Sequence, residues 1–151
     1  MRAVYRLLAI MVLPLLHACG VSKDAKHELV GWYDQTNRGF AIERREDQGA
    51  RVLIPDVLAL QTSSQFISGH ATWKYIDGPM IESTNPLVSK AFWFVIDKSK
   101  AYEDCRAFLS TDKDLWAKWC VSNNVPTNLT EIKEFVDSSR IAKEGGIELT
   151  H

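Results

Sequence analysis

Hydrophobic and polar residues alternate most regularly between Phe66 and Tyr75. Ile67, Ala71, Trp73 and Tyr75 share one parity, while Ser68, His70, Thr72 and Lys74 share the other. A period of two over ten residues predicts a β-strand with one packed face and one largely solvated face. Upstream, Leu29 to Tyr33 is a short apolar run around Gly31, and the turn-rich Gln35-Thr36-Asn37-Arg38-Gly39 follows it. Phe40 and Ile42 then alternate with Ala41 and Glu43, as in a half-buried strand. Two more apolar runs, Arg51 to Ile54 and Val57 to Leu60, are separated by Pro55-Asp56. A proline there implies an edge position, a bulge or a break between two strands. After a loop from Ile76 to Lys90, Ala91 to Ile96 (AFWFVI) is continuously apolar, as a central strand buried on both faces would be.

Past Asp97 the period changes. Ser110-Thr111-Asp112 introduces Leu115, Trp116, Trp119 and Cys120, which are spaced for one face of a helix. Asn128-Leu129-Thr130-Glu131 reads as a capping box leading into Ile132, Phe135 and Val136, and Gly145-Gly146 supplies a stop. Strands first and helices later predict an α+β fold: a small antiparallel sheet, a meander, followed by one or two C-terminal helices.

The first twenty residues follow a different logic. Arg2 and Arg6 precede an apolar stretch from Leu7 to Leu16, and no acidic residue occurs before Asp24. This is the layout of a secretory signal. The run is about half of the roughly 20 residues a membrane-spanning helix needs, and Pro14 disfavours a continuous span. Leu16-His17-Ala18-Cys19 resembles the lipobox of bacterial lipoproteins. That resemblance implies removal of residues 1–18 as a type II signal peptide and attachment of lipid to Cys19. The alternative is an ordinary secretory signal that leaves a free Cys19. Gly20 stands where an Asp would retain such a protein at the inner membrane, so the resemblance implies the periplasmic face of the outer membrane in a Gram-negative cell. One acyl chain holds only reversibly, whereas two or three hold firmly.

Residues 19–27 then read as a lipidated tether, 28–144 as a single α+β domain and 145–151 as a flexible tail. A further resemblance, to a small uncharacterised family of bacterial lipoproteins, rests on four short pieces. They are Cys19-Gly20, Gly31-Trp32-Tyr33, Ile54-Pro55-Asp56-Val57 and Phe94-Val95-Ile96-Asp97. It covers about half of the mature chain and implies a domain type without an activity.

Charge and cysteine usage sharpen this picture. Without Arg2 and Arg6, the 18 basic residues become 16 against 19 acidic ones, a mildly acidic balance with no basic cluster. The footprint of a nucleic-acid binder is absent. With Cys19 lipidated, Cys105 and Cys120 remain as a pair, and an exported pair is expected to bridge. Such a disulfide would contribute roughly 3 kcal/mol by chain entropy. Two buried free thiols, or one reactive thiol, are the alternatives.

Candidate chemistry is sparse. His27, His70 and His151 lack the spacing of a zinc site, and Asp112-Lys113-Asp114 has no Gly or distal Glu to complete a calcium loop. No Gly-x-Ser-x-Gly elbow occurs. Glu43, Glu46 and Asp47 around Arg44 and Arg45 read as a salt-bridged surface. No metal, no cofactor and no catalysis are therefore expected. Trp116 and Trp119 could form a stacking platform for a glycan or peptide, or pack in the core against the AFWFVI strand. The expectation is a non-catalytic envelope lipoprotein that meets the membrane through its lipid and binds an envelope or toxin protein, as an assembly accessory, adaptor or immunity-type inhibitor. A glycan, peptidoglycan or small-ligand module is the alternative.

Overall fold

A computed structural model describes residues 25–33, 38–72, 91–138 and 146–150. The signal segment, Cys19, Trp73 to Lys90 and His151 lie outside the described residues. The apolar alternation of the first half builds β1 (Lys26–Tyr33), β2 (Arg38–Glu46) and β3 (Gly49–Ile54), which pair antiparallel in sequence order. Ile54 and Val57 are then separated by a corner at Pro55-Asp56, where Asp56 takes a left-handed φ of 48°. Its carbonyl accepts from the Thr72 amide at 3.0 Å, which fixes the corner onto the following sheet.

That corner is a break between strands of different sheets. β4 (Val57–Thr62), β5 (Phe66–Thr72), β6 (Ala91–Asp97) and β7 (Arg106–Ser110) form a second antiparallel meander. Two short strands extend the sheets: β8 (Thr130–Glu131) pairs with β4, and β9 (Ile147–Glu148) pairs with β1. The resulting orders are β3-β2-β1-β9 and β7-β6-β5-β4-β8. The fold is therefore mostly antiparallel β in two sheets, with two short helices, α1 (Lys113–Ser122) and α2 (Ile132–Ser138). A single meander followed by helices does not describe it. The chain has too many inward-facing apolar residues for one sheet to bury, and the second sheet covers them.

The main core lies between the sheets. Leu29, Ile42, Leu53 and Ile54 from the first meet Leu60, Ile67, Phe92, Phe94 and Ile96 from the second. The opposite face of β6 presents Val95 to Trp116 and Cys120 of α1 in a second cluster. β6 is thus buried on both faces, as its unbroken apolar run predicts. β5 also has more burial than its alternation predicts, because the segment after α1 reaches the outer face at Ser68. Ser68 is fully buried there and donates its hydroxyl to Pro126 O at 2.6 Å. Gly69 is required by Phe94, its cross-strand partner. A Cβ there would overlap the Phe94 ring and lie 2.7 Å from the Ala59 carbonyl oxygen.

Side chains tie β3, an edge strand, to the second sheet. Tyr102 Oη donates to Val52 O at 3.3 Å, Arg106 Nε donates to Leu53 O at 3.1 Å, and the Arg51 guanidinium lies 4.8 Å from the Tyr102 ring centroid. These contacts occupy carbonyls that an open edge would offer to another chain.

The helix starts differ from one another in how well the sequence marks them. α1 starts after Ser110-Thr111-Asp112 as expected, and Asp112 caps it, accepting from the amides of Asp114 at 2.8 Å and Leu115 at 3.1 Å. The capping box at Asn128 does not form. Thr130 and Glu131 are taken up by β4, so α2 begins at Ile132, three residues later than a cap at Asn128 would place it. Residues 147–149 are not a loose tail, because β9 pairs with β1 and Leu149 is buried in the main core. Gly146 permits this approach, since a Cβ there would lie 2.9 Å from Val30 Cγ2.

Candidate functional site

The inward row of the first sheet changes character at one end. Leu29 and Ile42 are cross-strand partners in the core, and two residues along the same face stand His27 and Arg44, also partners. His27 is 4% exposed and Arg44 1%. The buried guanidinium is satisfied. Its Nε donates to Glu46 Oε1 at 2.6 Å, and its Nη1 donates to Lys100 O at 2.5 Å. Arg44 is therefore part of a buried ion pair and not of the salt-bridged surface expected for this stretch. The surface pair is instead Arg45 with Glu28, at 3.1 Å.

A cleft of about 370 Å³ opens beside this cluster, walled by Lys26, His27, Ser64, Lys98 and residues 148–150. Lys98, in the turn after β6, donates its ammonium to the carbonyl of Ser63, to Leu149 O at 3.0 Å and to Thr150 O at 3.1 Å. It thereby pins the C-terminal strand, whose Leu149 amide also donates to His27 O at 2.7 Å. Lys26 reaches across the rim to Glu148 at 3.4 Å.

Two features set the electrostatics of the cleft. Desolvation, reinforced by Arg44 and Lys98, lowers the His27 pKa to about 4, so its imidazole is neutral near pH 7. Burial lowers the Lys98 pKa as well. His27 Nε2 is buried with no hydrogen-bond partner among the described residues, an arrangement that costs about 1–3 kcal/mol. Among the described residues no three His, Cys, Asp or Glu side chains gather as a metal site. The cleft walls thus carry two lysines and one glutamate, and their histidine has a buried ring nitrogen without a partner among the described residues.

The residues singled out from sequence lie elsewhere. Cys105 and Cys120 are both buried and free, and the expected bridge is not formed. Cys105 belongs to the core between the sheets and donates Sγ–H to Tyr102 O at 3.2 Å, while Cys120 belongs to the cluster under α1. These two clusters lie on opposite faces of β6, so the sheet stands between the thiols. Burial raises both thiol pKa values, that of Cys120 to about 11.

Trp116 is 2% exposed and donates Nε1–H to Phe94 O at 3.1 Å. That is core packing against the AFWFVI strand, and it removes Trp116 from any surface platform. Trp119 is half-buried and packs on Phe108, with ring centroids 5.4 Å apart. A different aromatic pair is partly open: His70 stacks on Trp93 at 4.7 Å, with ring planes 16° apart. Cys19 lies outside the described residues, and among those described no helix is long and apolar enough to cross a membrane.

No protein-family model, curated protein or solved structure matches the chain.

Sequence reasoning missed His27, placed in the tether, and Lys98, which it did not single out. A signal for His27 was present, because it shares parity with Leu29 in Lys26-His27-Glu28-Leu29. Lys98 carries no local signal, since its partners at Leu149 and Thr150 are about fifty residues away.

Proposed function

We propose that this chain is a lipid-tethered, non-catalytic binding module of the bacterial cell envelope, anchored through Cys19. The observation that supports this reading best is the place where the chain enters the domain. Ala25, Lys26 and His27 are themselves walls of the cleft. Five residues lie between Cys19 and Ala25, and the six steps from one to the other reach at most about 22 Å even when fully extended. A lipid on Cys19 would therefore hold the cleft end of the domain close to the bilayer and leave the remaining surface free for an envelope or toxin protein. Tethering of this kind raises the effective concentration of a binder at its membrane. The exposed apolar side chains of α1, Leu115 and Val121, offer such a partner contact area.

The test places a photo-crosslinking side chain at Val121 in the intact, membrane-associated protein. A discrete adduct with one envelope protein, lost when Leu115 and Lys118 become Glu, is the expected result. Adducts with lipid alone, or a ladder of unrelated proteins unaffected by those changes, would contradict it.

A second reading, glycan or peptidoglycan binding, draws on the partly open His70–Trp93 stack and not on Trp116 and Trp119. It predicts sedimentation with purified peptidoglycan that disappears in Trp93→Ala.

A further inference from the structure

We propose that the cleft beside His27 is an oxyanion site that takes a phosphate-sized group, with His27 Nε2–H and the Lys26 ammonium as its donors.

Three observations converge on this. The first is the unpartnered Nε2 of a side chain that is 96% buried and forms part of the cleft wall. A buried polar atom left open is costly. Nε2 is closed to solvent in the free protein, so the imidazole turns toward the cleft to meet the ligand oxygen, and the bond formed removes that cost. The second is charge. The groups facing His27 are Lys26 from its own strand, Arg44 and Glu46 from β2, Lys98 from the turn after β6 and Glu148 from β9. Arg44 is neutralised by Glu46 and Lys26 by Glu148, whereas Lys98 binds carbonyl oxygens and no carboxylate. Among the described residues the cleft thus keeps one positive charge, that of Lys98, without a carboxylate partner. Exposed pairs such as Lys26–Glu148 hold weakly, so Lys26 can turn to an incoming anion without a large loss.

The third observation is size. A volume of about 370 Å³ corresponds to roughly a dozen waters at about 30 Å³ each, which admits a phosphate or phosphoryl group with its remaining hydration. A cation would meet the Lys26 and Lys98 ammoniums with Glu148 already paired to Lys26, and a purely apolar ligand would leave Nε2 open. The lipid headgroup phosphate and free phosphate share the chemistry that fits.

An anion in contact with His27 favours its imidazolium form. It opposes the desolvation and the two cations that hold the pKa near 4. Binding therefore takes up a proton, and affinity rises as pH falls.

The test follows the His27 imidazole signals of the intact protein by NMR during titration with inorganic phosphate, glycerol 3-phosphate and sulfate. Sulfate serves because its charge does not change across the pH range used. The expected results are a saturable shift at His27, a rise of its pKa with sulfate, and sulfate affinity that increases between pH about 7 and about 5. Lys26→Gln, at an exposed position, should weaken sulfate binding about threefold to tenfold. His27→Gln keeps an N–H donor and cannot charge, so it should bind without pH dependence. Saturation at lower glycerol 3-phosphate than phosphate assigns the site to a phosphoryl headgroup, and the reverse order assigns it to free phosphate. His27 signals that move no further than those of His70 with any of the three anions would overturn the proposal.

Discussion

His27 and Arg44 are direct cross-strand partners on the inward face of the first sheet, one step beyond the apolar pair Leu29 and Ile42. Burying a polar pair there has different consequences for the two residues. Arg44 keeps its charge because Glu46 and the Lys100 carbonyl satisfy it, whereas His27 is held neutral by the same surroundings.

That neutrality makes stability depend on pH. The folded-state pKa of His27 is about 4, below the usual 6.5, so between these values the unfolded chain binds a proton that the folded chain does not. Stability from this source is fully present above pH about 6.5 and is lost as pH falls toward about 4, by up to about 3 kcal/mol. Urea unfolding in anion-poor buffer should show this loss in the native chain. The difference between the native chain and His27→Gln should shrink over the same interval, as His27→Gln lacks the titration.

Glu46→Gln should be far more disruptive than Arg45→Gln, although both break an ion pair. The first leaves a buried guanidinium without its counter-charge and should destabilise by about 2–3 kcal/mol, the Lys100 carbonyl moderating the loss. The second breaks the half-exposed pair with Glu28 and should change stability by less than about 1 kcal/mol. Equal midpoints for the two variants in denaturant titrations would show that Arg44 is not buried as described.

With β6 between them, Cys105 and Cys120 stay reduced in the folded protein. The melting temperature should be the same with and without reductant, and neither thiol should react with iodoacetamide under native conditions, because burial raises both thiol pKa values and suppresses the thiolate. A drop in melting temperature on reduction would demonstrate a bridge.

Trp116 and Trp119 should separate cleanly by mutation. Trp116→Ala removes a buried ring and its bond to Phe94 O, and should cost about 3–5 kcal/mol. Trp119→Ala loses a partly exposed packing pair and should cost about 1 kcal/mol. Gly69→Ala, which pushes a methyl into the Phe94 ring, should cost about 1–3 kcal/mol while adding only one carbon. Chemical denaturation of the three variants checks the ranking.

Much of the fold was legible where the determinant is local. The AFWFVI run marks β6, Ser110-Thr111-Asp112 marks the start of α1, and Pro55-Asp56 marks an interruption that is the break between β3 and β4. What could not be read is which strands share a sheet, because pairing is decided by long-range burial. β8 and β9 are two residues each, too short for any period, and exist because β4 and β1 have edges to fill. The cleft was hidden for the same reason: it joins β1, the turn after β6 and the C-terminal strand. Arg44 looked like one charge in a charged run, yet it shares parity with the buried Ile42.

The tether itself is tested most directly by metabolic labelling with a palmitate analogue in the producing cell, followed by membrane fractionation. A lipid-tethered module requires label on the intact chain in the membrane fraction and its complete loss in Cys19→Ser. Label that persists in Cys19→Ser, or that is absent from both chains, contradicts it.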